Sequence, residues 1–198
     1  AHYMQNYQSQ IRLMIKMQFQ IGVARRICET IGTLNMPSVS EKLGQMAAQA
    51  AMVEGLVYGM ESGGGYYNGY YVPDRNLMYT AQVLTQQLYP EFITSMREIA
   101  GGGLIMLPSS VKDFENPEIA RYIHATQNSA VGTSEEKVKF MKLAWDAIGS
   151  EFASRHTQYE MFYAGAQFVT RGHALRTYDW NRSKTVSYTH LRAHETEA

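Results

Sequence analysis

Arg97-Glu98-Ile99-Ala100-Gly101-Gly102-Gly103-Leu104-Ile105-Met106-Leu107-Pro108-Ser109 decides how the chain reads. Three consecutive glycines stop a helical pattern, and an apolar run then ends at Pro108. A backbone bared of side chains at a helix end lets another surface approach closely. The glycines follow a helix rather than a strand, so the phosphate loop of the doubly wound nucleotide-binding fold lacks its context. Taken alone, they are a helix stop with a flexible turn.

Upstream of that stop, Asp74 is placed to cap a helix running from Arg75 to about Ile99, which Pro90 is expected to kink or split. Before it, Ser62-Gly63-Gly64-Gly65 ends an earlier helix. Tyr66-Tyr67-Asn68-Gly69-Tyr70-Tyr71-Val72-Pro73 then reads as an aromatic loop, its tyrosines either packing on the bundle or lining a ligand or subunit contact. Pro37-Ser38-Val39-Ser40-Glu41 predicts a capping box opening that earlier helix, with Leu43, Met46, Ala47, Ala50, Val57 and Met60 on its face. Residues 4–31 carry Ile11, Met14, Ile15, Ala24, Ile27, Cys28 and Ile31 at helical spacing. This first helix starts in full pattern and without an initiator Met, which suggests a chain that begins partway through a larger protein.

Downstream, Asn116-Pro117-Glu118 supplies a cap, a first-turn proline and a first-turn acid for a short helix to about Ala125. Thr133-Ser134-Glu135-Glu136 predicts a second capping box. The helix it opens has Val138, Met141, Trp145, Ile148 and Phe152 on one face and is expected to continue to Phe162. After Gly165, Phe168 to Tyr178 predicts one more helical segment. From Ser183 to Ala198 the chain turns polar and aperiodic, and residues 182–198 read as a tail foreign to the fold. His190 and His194 are therefore not offered as metal ligands despite their i, i+4 spacing.

Composition narrows the function classes. The chain has 198 residues, 45% of them apolar and 18% charged, which fits one globular domain with a substantial core. Lys plus Arg and Asp plus Glu both number 18, so nothing electrostatic points to a nucleic acid or an anionic membrane. No apolar run approaches the roughly 20 residues that cross a bilayer, and no secretory pattern opens the chain. A soluble, intracellular, cytoplasmic protein is expected. Cys28 is the sole cysteine, which excludes an internal disulfide and a thiolate cluster and reads as a buried structural thiol.

The residues that invite a chemical reading are Gly149-Ser150-Glu151-Phe152-Ala153-Ser154-Arg155-His156-Thr157-Gln158-Tyr159-Glu160, followed by Phe162-Tyr163-Ala164-Gly165. Ser150 is able to donate to a ligand or to return its proton to the carbonyl four residues back. Arg155 is able to grip a phosphate or to pair with Glu151 or Glu160 at helical spacing. His156 reads as a packed or capping side chain rather than a base, and Phe152 as core. His124 and His173 stand alone, and no Ser/His/Asp or Cys/His set assembles, so no catalytic residue is assigned.

Together with Arg97-x-x-x-Gly101-Gly102-x-Leu104 and Arg171-Gly172-His173-Ala174-Leu175-Arg176-Thr177-Tyr178-Asp179-Trp180, that stretch resembles the carboxy-terminal domain of the 4-hydroxyphenylacetate 3-monooxygenase oxygenase family. The resemblance covers roughly Ala1 to Asn181. It implies an all-α, antiparallel helix bundle like the C-terminal domain of the acyl-CoA dehydrogenase-like fold. It also implies FAD, used as FADH2 from a separate flavin reductase, with O2 and a phenol as substrates, in a homotetramer. One oxygen atom would pass to the ring position beside the phenol hydroxyl. Flavin contacts carried over are Ser150, Glu151, Phe152, Ala153, Arg155, Gly101 and Gly102, with Ser150 also facing substrate and no metal. The family's phenol-binding Arg, Tyr and His belong to parts that this sequence lacks. A 4-hydroxybutyryl-CoA dehydratase branch resembles His-x6-Cys near the domain start, where this chain has His2 and Ser9. A non-catalytic oligomerisation bundle is the reading from another class.

Overall fold

The computed structural model describes the backbone of residues 2–195 and the side chains of residues 4–191. Its helices are α1 (His2–Ile31), α2 (Pro37–Ser62), α3 (Arg75–Ala100), α4 (Pro117–Thr126), α5 (Ser134–Ile148), α6 (Glu151–Phe162), α7 (Gln167–Thr177) and α8 (Trp180–Glu195). Between α2 and α3 lies a two-stranded antiparallel hairpin, β1 (Gly65–Tyr67) and β2 (Tyr70–Val72). The all-α bundle expected from the sequence is the fold observed.

The central element is α3, which touches α1, α2, α5, α6 and α7. Buried positions along it include Met78, Leu88, Tyr89, Phe92, Ile93, Met96 and Ile99. Asp74 caps its start as expected, the carboxylate accepting from the Leu77 amide at 2.7 Å. Replacing Asp74 by Ala leaves that amide without its acceptor and is expected to cost about 1 kcal/mol, measured by urea titration. Pro90 does not split the helix, and α3 runs from Arg75 to Ala100 through it. Packing on several faces holds the helix together across the one amide that proline lacks.

The predicted capping box at Ser38–Glu41 does not form. Instead α2 starts at Pro37, whose fixed φ suits a first helical turn, and Met36 accepts from the amides of Val39 and Ser40 through its own carbonyl. The expected face of α2 holds for Met46, Ala50, Val57 and Met60, whereas Ala47 is exposed and Val53 is buried in its stead. On α1 the inward stripe is Leu13, Met17, Ala24, Ile27 and Cys28, interleaved with Asn6, Gln10 and Gln20, while Ile15 is exposed. Burial pushes the Cys28 thiol up.

Those buried amides form a polar seam. Gln10 donates to the Thr85 hydroxyl at 3.3 Å, joining α1 to α3. Gln86 donates to the carbonyls of Met161 at 2.9 Å and Gly165 at 2.8 Å and accepts from the Thr170 hydroxyl at 2.8 Å. One side chain of α3 thereby ties the end of α6 and the start of α7.

The aromatic segment is a hairpin rather than a loop, turning on Asn68 and Gly69, both with positive φ. Tyr66, Tyr67 and Tyr70 stand exposed on it, so they do not pack on the bundle. Tyr71 donates to the Glu61 carbonyl at 2.8 Å.

Thr133 and Glu136 form the expected capping box, and Asn116 caps α4. The helix they were expected to extend to Phe162 is two helices, because Gly149 and Ser150 end α5 and begin α6. Past Thr177, α8 leaves Val186, Tyr188 and Leu191 exposed. His190 is exposed on it, and the side chain of His194 lies outside the described residues.

Candidate functional site

Arg97 connects the two glycine-containing motifs. Its guanidinium Nε donates to the Ile148 carbonyl at 2.8 Å, so the end of α3 is tied to the end of α5, one residue before Gly149. Four residues after Arg97, Gly101 closes α3 with its amide donating to the Arg97 carbonyl. Gly101 sits at φ 56° and ψ −156°, a conformation that only glycine adopts without strain. A Cβ at Gly102 would meet nothing within 4 Å. Nothing within the chain requires the second glycine, and the bare backbone faces outward.

Gly149 has an internal reason to be glycine, since a Cβ there would collide with the Trp145 ring. That lets the chain turn sharply into Ser150, the N-cap of α6. The Ser150 hydroxyl accepts from the Ala153 amide at 3.2 Å and donates to the Asp146 carbonyl at 2.9 Å. Its proton is committed to the carbonyl four residues back, and only its remaining lone pair can meet an outside donor.

The next residues divide by depth. Ala153 is buried, whereas Glu151, Phe152 and Arg155 line one cleft of about 590 Å³ together with His156 and Tyr159. Phe152 is 63% exposed and so is not core, because the break at Gly149 turns it off the face carrying Trp145 and Ile148. Its ring lies 4.3 Å from that of His156. Arg155 is exposed and forms no ion pair with Glu151 or Glu160 among the described residues. Gly101, Gly102 and Ser150 lie outside the walls of this cleft.

Beneath the cleft is a cluster that sequence reasoning missed. Glu160, only 8% exposed, pairs with Lys16 and lies 3.7 Å from Arg12, both on α1. Lys16 also approaches His156 Nδ1 at 3.1 Å, and Arg12 donates to the Tyr159 hydroxyl at 2.7 Å while lying over its ring. Burial, reinforced by Lys16, holds the His156 ring below the usual histidine range. His156 is thus packed rather than free, as its sequence context suggested. The available signal was the placement of Lys16 between Leu13, Met17 and Gln20 on the inward stripe of α1.

A second, mostly apolar cavity of about 280 Å³ shares Phe152 and His156 with the first and is walled by α1, α3 and α5 as well. Tyr89 lines it, and burial pushes that hydroxyl up to about 12. Among the described residues, no group of three or more His, Cys, Asp and Glu side chains is placed to hold a metal, and no helix is long and apolar enough to cross a membrane.

A profile of the family described as 4-hydroxyphenylacetate 3-hydroxylase C terminal matches residues 1–189. The 4-hydroxyphenylacetate 3-monooxygenase oxygenase component of Pseudomonas aeruginosa is 34% identical over 167 residues, covering 83% of this chain and 32% of that protein. A crystal structure of a 4-hydroxyphenylacetate 3-monooxygenase oxygenase component complexed with FAD and 4-hydroxyphenylacetate superposes with a TM-score of 0.89 at 26% identity. That match covers 96% of this chain and 40% of the other. An archaeal 4-hydroxybutyryl-CoA dehydratase from N. maritimus gives a TM-score of 0.78 at 20% identity over 88% of this chain and 35% of that one, a likeness of fold alone. The chain spans about a third of the length of the curated relatives it matches. A profile match over nearly the whole sequence, joined to this identity and superposition, shows that the chain belongs to the 4-hydroxyphenylacetate 3-hydroxylase family and corresponds to its C-terminal part.

Proposed function

We propose that residues 1–181 are the C-terminal helical domain of the oxygenase component of a two-component, flavin-dependent aromatic hydroxylase. It acts on a phenol such as 4-hydroxyphenylacetate with FADH2 and O2, in a cytoplasmic homotetramer served by a separate flavin reductase. Residues 182–198 stand apart from that function. The observation that carries the reading is the Arg97–Ile148 bond, which draws the glycine-bared end of α3 and the Ser150 turn toward one region of the bundle.

The residues present fit a flavin dinucleotide. Gly101 and Gly102 offer exposed backbone to a diphosphate or adenine edge with no side chain in the way. Arg155, which forms no ion pair among the described residues, offers a planar pair of donors to an anionic oxygen. The start of α6 carries the amides of a helix N-terminus, with Glu151 and Phe152 beside them. Phe152 excludes water from whatever lies against it, and Ser150 offers a lone pair to a donor on the ligand or substrate. Bound reduced flavin supplies the oxygen chemistry; the chain binds, orients and shields.

Among the described residues we identify no acid–base set for hydroxylation. Mixed with FAD, a flavin reductase, NADH and 4-hydroxyphenylacetate, the chain is expected to form no catechol by chromatography, and appreciable product would overturn that division of labour. FAD binding followed by flavin fluorescence is the direct test. Gly102→Leu is expected to weaken FAD binding at least about tenfold with little change in melting temperature, because the new side chain meets open space inside the chain and a ligand outside it. Assembly of the wild-type chain without bound flavin would favour a purely oligomerising bundle instead.

A further inference from the structure

Glu160 is the only carboxylate among the described residues that is both buried and flanked by two cations, and the proposed flavin contacts make no direct use of it. Its partner Lys16 also reaches the His156 ring, and that ring lies against Phe152 at the wall of the cleft. A chain of contacts therefore runs from α1 through Lys16 and His156 to the side chain facing a ligand.

We propose that Lys16 is a positioning residue: by bridging the buried Glu160 carboxylate and Nδ1 of His156, it fixes the ring on which Phe152 rests and so sets the wall of the ligand cleft. The proposal rests on the flavin reading of that cleft for its functional consequence, and on contacts within the chain for its mechanism. The groups facing His156 are Lys16 and Arg12 from α1, and Glu160, Arg155, Tyr159 and Glu151 from α6. Asp146 from α5 and Tyr89 from α3 share its second cavity. The Lys16 ammonium, 3.1 Å from Nδ1, can only donate, so the bridge requires that nitrogen to accept through its lone pair and the ring to be neutral. With its midpoint held below the ordinary histidine value of about 6.5, the ring stays neutral in the folded cleft until pH falls past that lowered midpoint, where protonation breaks the bridge.

The test follows the full 198-residue chain by NMR of the His156 ring and by FAD titration across pH. A ligand that binds only when the His156 ring is neutral loses about tenfold in affinity for each pH unit below the His156 midpoint. Lys16→Met is expected to raise that midpoint, because the lysine no longer opposes the imidazolium while Glu160 still favours it, to shift the FAD profile upward by the same amount, and to abolish the cross-peak between the Phe152 and His156 rings. Lys16→Arg is expected to restore all three. His156→Phe keeps a ring beneath Phe152 and is expected to flatten the FAD profile, which decides the matter if Lys16→Met does not fold. An unshifted FAD profile or an intact ring contact in Lys16→Met, or a pH-dependent profile surviving in His156→Phe, overturns the proposal. Should wild-type chain bind no FAD, the flavin reading fails, and the ring contact in Lys16→Met still judges the positioning role.

Discussion

Phe92→Ala is expected to lower the unfolding free energy by about 3–5 kcal/mol, the largest loss from any single truncation considered for this chain. Phe92 has no exposed surface and sits in the main core with Leu88, Ile93 and Met96 of its own helix, Leu13 and Met17 of α1, and Met141 and Ile148 of α5. Removing the ring takes away its transfer free energy and leaves a cavity that three helices are too tightly joined to fill. Chemical denaturation should show a lower midpoint with an unchanged slope. A loss under about 1 kcal/mol would mean that the core collapses around the gap and that α3 is not its organising element.

Gly149→Ala is expected to cost about 1–3 kcal/mol, despite adding one methyl group at a half-buried position. The new Cβ collides with the Trp145 ring, a rigid plane rather than the far end of a flexible chain. Trp145 packs against the core on one side and walls a small cavity with Leu104, Ile105 and Leu107 on another, so its relief is a shift of the ring toward that cavity at the expense of core contacts. Its displacement should change tryptophan emission, and Trp180→Phe serves as the background that isolates it. The same shift disturbs the Ile148 carbonyl held by Arg97, so FAD binding should fall with stability. Wild-type emission and melting temperature in the variant would show that Trp145 is mobile against the glycine.

How much of this was legible depended on whether local chemistry or tertiary context decided each element. Caps written in side chains were readable: Asp74, Asn116 and the Thr133–Glu136 pair all act as their chemistry indicates. Where two local signals competed, context chose, and at Pro37 the proline started the helix before Ser38 could cap it. The Asn68-Gly69 pair carried a hairpin signal that four tyrosines obscured. On α1, apolar periodicity marked Ala24, Ile27 and Cys28 correctly but missed Leu13 and Met17 and included the exposed Ile15, because glutamines occupy inward positions and blur the pattern. At the candidate site, the Ser150 turn and the glycine end stood out through the family likeness. The Lys16–Glu160 pair did not, since residues 144 apart in sequence share no local pattern.

The Gln86 bonds restrict how the helices can be arranged. Apolar faces tolerate sliding, because one methyl group serves nearly as well as the next, but a carboxamide needs its partners at fixed points. If α7 slipped one turn along α3, the Thr170 hydroxyl and the Gly165 carbonyl would leave Gln86 together, stranding donors and acceptors where water does not reach. The bundle is thereby held to a single alignment, and the start of α6 inherits that definition from a glutamine near its far end.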